Sequence, residues 1–590
     1  MTITICEKRQ QILDATGHVL VLGGPGSGKT TIALKKAVRL IDEGLQPGQA
    51  ILFLSFSRSA VARIGEASKT EVEKSKRHQL SVQTFHSFCW ELLRSHGYLV
   101  GCPKRRLELL MPHDERALSG GLKPPQKGQA PSVEWRAWQN ERQRLFSEEG
   151  KITFDLFASK SVELLSRCPL ILELVADRYP VIVVDEAQDT GSEAWRCIEI
   201  LSSHTQVICL GDLEQQIFDH LEGVGPERIV HIQEALQPLR VDLGNDNNRS
   251  PGTEIAKFAN DILGNLVRGT PYVGVSRQMY DPKGDATKRL RIALVQVYRS
   301  VKKATGKWPE SIAVLAPVGA GVARISAALN GGIKPVRHKV LFDEAVALLS
   351  ARFAAFLLEP KVEENLRSDM AKCLEMLAAI RRVAGSKAAI QEAAKYLKWS
   401  LDIVQGKTAR AQLPVAIEAI VNGARTLQLT GDPGRDWTQI KRLMRESGQT
   451  EISRIVGDLD YLIAFNRGKR ISANLSAMWI AEGAYVRARE ALDAALVEDQ
   501  LLAGMEDLRG IHVMTIHKSK GKQFDAVIIV REGQRLGAFE WRSTLVWRDD
   551  PAPYNRSRKI LRVGITRAKV HVLMLEPFYP PCPILTPHTL

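Results

Sequence analysis

Two short stretches of this chain carry residue types and spacings suited to phosphate chemistry. Gly23-Gly24-Pro25-Gly26-Ser27-Gly28-Lys29-Thr30 satisfies G-x-x-x-x-G-K-[ST] and follows an apolar run at 19–22. Glycines leave backbone N–H groups free to face an anion, and a helix starting there adds a favourable dipole. Lys29 would neutralise β- and γ-phosphates, and Thr30 would bind Mg²⁺. In the second stretch, Val181-Ile182-Val183-Val184 runs into Asp185-Glu186-Ala187-Gln188-Asp189. A strand-terminal Asp185 can hold the metal, and the adjacent Glu186 can take a proton from an attacking water. Alone, an Asp-Glu pair is usually a solvated loop end. Beside a phosphate loop it points to hydrolysis of a nucleoside triphosphate. A small-molecule kinase also uses such a loop, but needs neither this length nor the segments described below.

These residues need a scaffold that holds loops at strand ends. Short β-branched runs at 19–22, 51–54, 181–184 and 207–210 read as buried parallel strands, each ending in Gly, Ser or Asp. Ligands in such sheets bind beyond the carboxyl ends of the strands. From 90 to 178 the pattern turns helical, interrupted by a Pro/Gly/Lys-rich stretch at 120–131 that reads as a mobile loop. Strand candidates return at 228–232 and 312–316. Residues 341–507 are rich in Ala, Leu, Arg and Glu at helical spacing, and strands are expected again at 511–515, 526–530 and 570–575. The expected class is α/β, with two cores built on parallel sheets, each carrying a mainly helical insertion. The first core would comprise 1–89 and 179–224, its insertion 90–178, the second core 225–340 and 508–590, and its insertion 341–507.

Composition narrows the partners. At about 150 residues per domain, 590 residues suggest roughly four units. The formal charge is +15, which suggests a polyanion: nucleic acid or an anionic membrane surface. No apolar run approaches the ~18–20 residues that span a bilayer. The N-terminus lacks a secretory apolar region. The eight cysteines are scattered without a CxxC pair, which argues for reduced thiols in a cytoplasmic protein and against a zinc or disulfide framework. Histidine spacing suggests no structural metal.

Beyond the two phosphate stretches, the chain resembles the superfamily 1 DNA helicases of the UvrD/Rep type. Asp185-Glu186-Ala187-Gln188-Asp189 matches that family's DExQD motif, and Thr84-Phe85-His86-Ser87-Phe88 matches T-F-H-S-F. The 54–60 segment resembles T-F-T-x-x-A-A, and 211–218 resembles G-D-x-x-Q-x-I-[YF]. Asn247-Asn248-Arg249-Ser250 resembles N-Y-R-S, 515–525 resembles T-x-H-x-A-K-G-L-E-F-D, and 563–568 resembles V-A-x-T-R-A. The motifs stand in family order over almost the whole chain.

The resemblance implies two RecA-like P-loop cores with ATP and Mg²⁺ bound between them. Gly24, Gly26, Ser27, Gly28, Lys29, Thr30 and Thr31 would hold the nucleotide, and Gln10 would read adenine, with Gln11 an equally placed rival. Gln215 would sense the γ-phosphate. Arg249 and Arg567 would be arginine fingers from the second core, worth about 10³–10⁵ in rate. Phe56, Thr84, His86 and His517 would contact DNA, aromatic faces stacking on bases without reading sequence. The basic runs Lys104-Arg105-Arg106 and Arg467-Gly468-Lys469-Arg470 could grip duplex phosphates or simply be solvated.

The implied activity is an ATP-dependent helicase moving 3′→5′ on single strands, with single-stranded and forked DNA as partners. Two alternatives stand beside it: a motor or sensor subunit beside a nuclease in a repair or anti-phage complex, and a translocase that strips proteins with little unwinding. Three departures matter. Asn248 replaces the adenine-stacking aromatic, and Gln523 replaces a glutamate that helps hold the nucleotide, so looser nucleotide selectivity or weaker ATP affinity is expected. The run Asp219-His220-Leu221-Glu222-Gly223-Val224 lacks the family's DNA-stacking aromatic, unless His220 takes that role.

Overall fold

The computed structural model describes the chain except residues 1–3, 56–57, 104–106, 121, 123–124, 126–129, 213–226, 245–248, 332–333, 342–344, 385–386, 408–409, 464–466, 502–507, 536–540, 548–549, 586–587 and 589–590. At some helical positions, including 58–59 and 467–470, only the backbone is described. Phe56, Gln215, Asn247, Asn248, Lys104-Arg105-Arg106, the 219–224 run and most of the 120–131 stretch therefore lie outside the described residues, as do the side chains of Arg467 to Arg470.

In chain order the strands are β1 Val19–Leu22, β2 Ile51–Ser55, β3 Leu80–Thr84, β4 Glu108–Leu109, β5 Lys151–Ile152, β6 Val181–Val184, β7 Gln206–Gly211, β8 Leu239–Asp242, β9 Val275–Tyr280, β10 Ser311–Ala316, β11 Lys339–Leu341, β12 Gly510–Thr515, β13 Phe524–Val530, β14 Gly533–Arg535, β15 Trp541–Ser543 and β16 Ala568–Pro577. Two six-stranded sheets dominate, ordered β3-β2-β6-β7-β1-β8 and β11-β12-β10-β13-β16-β9. Every pairing in both is parallel. Helices cover both faces of such sheets, so the central strands read as unbroken apolar runs rather than alternating ones. Val19–Leu22 and Val181–Val184 are buried at every position.

Parallel order also aligns the carboxyl ends of the strands along one edge. In the first sheet Ile51 pairs with Val181 and Val19 with Ile208, so the segments after Leu22, Ser55, Val184 and Gly211 leave from the same side. That alignment is what brings the phosphate loop and the acidic pair to one place.

The strand expectations at 312–316, 511–515, 526–530 and 570–575 fall within β10, β12, β13 and β16. The expectation at 228–232 is corrected: those residues belong to the helix Glu227–Leu236. Ile229, Ile232 and Leu236 are the buried apolar positions, a 3-and-4 spacing that puts them on one helical face.

The chain divides into two compact units. One comprises Met1–His96, Ala158–Phe342 and Ala503–Leu590, and the other Gly97–Phe157 with Asp343–Leu502. The first unit contains both six-stranded sheets. The second is mainly helical, with the short pair β4 and β5, and contains the helix Ala345–Leu358, whose Phe353, Ala354, Phe356, Leu357 and Leu358 are buried. In it Arg352 pairs with Asp114 from the earlier segment and with Asp493 at 2.7 Å from the later one. No described helix is long and apolar enough to cross a membrane. All eight cysteines are free, and six of them are buried.

Candidate nucleotide site

β1 delivers the chain into the glycine-rich loop, and the helix Lys29–Glu43 begins where the loop ends. Gly26 and Gly28 have φ of 88° and 91°, a left-handed backbone that glycine adopts without strain. Gly24 N–H donates to the carbonyl of Gly244 at 2.8 Å, tying the loop to the segment after β8. Gly23 packs so closely that an added Cβ would lie 2.6 Å from Ser27 Oγ. Arg9, buried, braces the loop from behind through the Ser27 carbonyl at 3.0 Å.

Lys29 folds back over the loop. Its ammonium donates to the carbonyls of Gly23 at 2.5 Å and Gly24 at 3.0 Å. Burial pulls its pKa down, opposed by Asp212, Glu186 and Asp185. Ser27 Oγ is buried with no partner among the described residues. A glycine cradle, a part-buried ammonium hydrogen-bonded to two carbonyl oxygens and a hydroxyl without a partner among the described residues are the donor set a polyphosphate would complete, so the loop fits a nucleotide.

The acidic pair sits at the end of β6. Asp185 N–H donates to the Leu54 carbonyl at 2.8 Å, continuing the sheet. Glu186 has φ of 55°. A non-glycine residue there costs of order 1–3 kcal/mol and persists only where its surroundings hold it. Gln188 supplies the hold: its amide donates to Glu186 Oε2 at 2.6 Å, while its oxygen accepts from Asp212 N–H at 3.0 Å.

The two neighbouring acids differ in charge environment. Burial and then Glu186 push Asp185 up to about 6, against Arg63 and Lys29. Burial would raise Glu186 too, but Lys520, Lys29, the Gln188 bond and Arg567 together hold it below the usual carboxylate range. Glu186 therefore stays ionised. Asp185, within electrostatic reach of Lys29, suits a Mg²⁺ ion, which binds through one or two protein oxygens and completes its shell with phosphate and water. Among the described residues no group of three His, Cys, Asp or Glu could form an all-protein cage.

The second sheet contributes cations. Arg567 follows the helix Asn555–Ile565 and is 1% exposed, its Nε donating to the Val563 carbonyl at 2.9 Å. Burial lowers its pKa to about 10, partly offset by Glu186 and Asp212. Arg249 donates to the Thr566 carbonyl at 3.0 Å, next to Arg567. Burial, then Arg567 and Arg63, lower its pKa. Two ion pairs join the sheets: Lys520 with Asp189, both largely buried, and Arg562 with Asp212 at 3.9 Å. Gln523, with its amide oxygen turned to the guanidiniums, accepts from Arg249 Nε and Arg63 Nη1, each at 3.1 Å.

Lys29, Asp185, Glu186, Arg249 and Arg567 thus form one electrostatic cluster. Gln188, Asp212, Lys520, Arg562 and Arg63 belong to it as well. The first three lay inside recognisable motifs without being assigned a role. Arg562 and Arg63 carry no local signal, because only the packing of distant segments brings them in. Gln10 donates to the Asp14 carboxylate at 3.0 and 2.9 Å on the surface, and Gln11 is exposed. Thr84 is buried and accepts from Ser87 N–H at 3.0 Å, as a cap of the helix Phe85–His96. His86 is exposed. His517 stands edge-on to Trp547, with ring centroids 5.5 Å apart.

A family model described as the UvrD/REP helicase N-terminal domain matches residues 6–129 and 121–233. DNA helicase II of Haemophilus influenzae is 28% identical over 295 residues, 44% of this chain and 40% of that protein. The ATP-dependent DNA helicase PcrA of Staphylococcus aureus is 24% identical over the same shares. The match thus spans well under two thirds of either relative's length. A putative ATP-dependent DNA helicase, YjcD of Bacillus subtilis, is 21% identical across 97% of this chain and 78% of its own. A solved structure titled "Structural Basis for DNA Unwinding at Forked dsDNA by two coordinating Pif1 helicases" covers 56% of this chain and 59% of its own at 16% identity and a TM-score of 0.24, too slight a likeness to say anything of the fold. With the phosphate loop, the acidic pair and the ordered motifs already in place, the matched model and these relatives support a UvrD-like superfamily 1 helicase.

Proposed function

We propose that the chain is an ATP-dependent DNA helicase or translocase that hydrolyses ATP at this cluster and moves 3′→5′ along single-stranded DNA. The observation that carries the proposal is the convergence of Arg249 and Arg567, from the second sheet's segments, on Glu186 and Lys29 from the first. Lys29 and the loop N–H groups would bind the phosphates, and Thr30 and Asp185 would hold Mg²⁺. The ion would neutralise charge on the transferred phosphoryl group. Glu186, ionised and fixed by Gln188, would orient the attacking water and accept its proton. Arg249 and Arg567 would stabilise charge that develops only in the transition state.

Because these arginines come from the second sheet, hydrolysis would depend on how the sheets sit against each other. Stepping along a strand would follow from that dependence. Phe56, Thr84, His86 and His517 are the proposed DNA contacts, and Gln10 and Gln215 the proposed nucleotide sensors. The net charge of +15 supports a phosphate-dominated grip.

The decisive experiment is ATP hydrolysis with and without oligo(dT), followed by unwinding of 3′-tailed and 5′-tailed duplexes. Stimulation by the oligonucleotide, loss of hydrolysis in Lys29→Ala and preference for the 3′ tail are expected. Unstimulated hydrolysis would sink the motor reading. Stimulated hydrolysis without unwinding would leave the strand-stripping translocase.

A further inference from the structure

Two helices of the sheet-bearing unit present outward faces that their own packing does not need. The helix Ala286–Thr305 buries Leu290, Ala293, Leu294, Val297 and Val301 against the second sheet. Its other side carries Lys288, Ile292, Val295, Arg299 and Lys303, spaced by three or four residues and hence in one row. Ile292 is 48% exposed and Val295 49%. The helix holds six Lys or Arg and no Asp or Glu. Arg289 lies over the Tyr280 ring, Arg291 reaches the Gly331 carbonyl, and Lys302 lies over Trp308. Lys288, Arg299 and Lys303 have no acidic partner among the described residues.

The helix Pro169–Arg178 exposes leucines together with carboxylates. Leu170 is 74% exposed and Leu174 62%. Glu173 lies between them in sequence and Asp177 follows Leu174 by three residues, both exposed and without a basic partner among the described residues, while Arg178 donates to the Gly48 carbonyl. One helix thus offers two branched apolar side chains bracketed by cations, and the other offers two leucines beside two carboxylates. A nucleic-acid backbone would answer the cations but would leave Ile292 and Val295 against water.

We propose that copies of this chain associate head to tail, the Pro169–Arg178 helix of one seated on the Ala286–Thr305 helix of the next. The two patches differ, so the contact is heterologous and repeats along a row unless the rotation closes it into a ring. A single helix pair buries less than the roughly 800 Å² per partner of a stable interface, so association in free solution is weak. It strengthens wherever copies are held side by side, because the local concentration is then high.

The test is sedimentation velocity of the full chain over a concentration series, without DNA or nucleotide, so it does not depend on the helicase reading. The wild type should show a weight-average sedimentation coefficient that rises with concentration and falls back as salt is added. Glu173→Lys with Asp177→Lys, and separately Arg299→Glu with Lys303→Glu, should each stay monomeric. Mixing the two variants should restore association, since each now offers the complement of the other. Ile292→Ser with Val295→Ser should weaken association about tenfold. Circular dichroism spectra and unfolding midpoints matching wild type would show that the variants fold. Monomeric wild type at every concentration would overturn the proposal. So would association that ignores the 173/177 substitutions, the signature of a symmetric or unrelated contact. Failure of the mixed variants to associate would overturn it as well.

Discussion

Replacing Lys520 by methionine removes the cation from a buried pair and leaves Asp189 in place. Asp189 is pushed up to about 6 by burial, with Lys520 opposing the rise and Glu186 adding to it. An acid raised in the folded state binds protons more tightly there than in the unfolded chain. Stability is therefore lost as pH climbs from the ordinary 3.8 to about 6, and then levels off. At about 1.4 kcal/mol per unit, the ionised Asp189 already costs about 3 kcal/mol in the intact protein. Without Lys520 the carboxyl would rise further and fold protonated. Full neutralisation at pH 7 costs about 4 kcal/mol. The substitution should thus cost about 1 kcal/mol at pH 7 and a little over 1 more at pH 8, while its effect fades near pH 6. Urea unfolding of both proteins at pH 6, 7 and 8 measures this. The gap between the curves should open steadily above pH 6. A loss of about 3–5 kcal/mol at all three values would mean that Asp189 stays charged and unpaired, and the reasoning would fail. The same substitution removes the largest influence lowering Glu186, so the acidic limb of the hydrolysis profile should move to higher pH.

Glu186→Gln should lower kcat about 10²–10⁴-fold with KM for ATP little changed, measured by steady-state phosphate release, because proton acceptance is lost while phosphate contacts remain. Arg567→Ala and Arg249→Ala should each lower kcat by about 10³–10⁵ yet leave ADP affinity near wild type, as titration calorimetry can show. Gly28→Ala places a side chain at φ of 91°, and should cost about 1–2 kcal/mol in unfolding experiments and weaken ATP binding. Affinity for oligo(dT), followed by anisotropy, should fall linearly on a log-log plot against salt.

Some of this was legible residue by residue. The Gly23 to Thr30 loop and the Asp185-Glu186 pair could be read because their chemistry depends on neighbours in sequence: glycines that bare the backbone, an acid at a strand end. The strands 19–22, 181–184 and 526–530 could be read because parallel strands covered on both faces are continuous apolar runs. The error at 228–232 has the same origin. Its β-branched residues satisfy a short strand, while the burial of Ile229, Ile232 and Leu236 follows a helix that only the surrounding packing selects. Neighbours in sequence can also part company in space: Arg9 donates to the Ser27 carbonyl of the phosphate loop, while Gln10 donates to Asp14.

What the amino-acid sequence determined by itself was the set of local devices: a phosphate loop, a strand-terminal acid pair, and ordered motifs resembling one helicase family. Tertiary structure decided which charges meet. Lys520 lies 331 residues from Asp189, and Arg249 lies 317 from Thr566, so no window of sequence pairs them. The physical reason is range. Backbone conformation and caps are set by neighbours within a few residues. Burial and Coulomb interaction depend on distance in space, and a carboxylate learns its pKa only when the chain has closed around it.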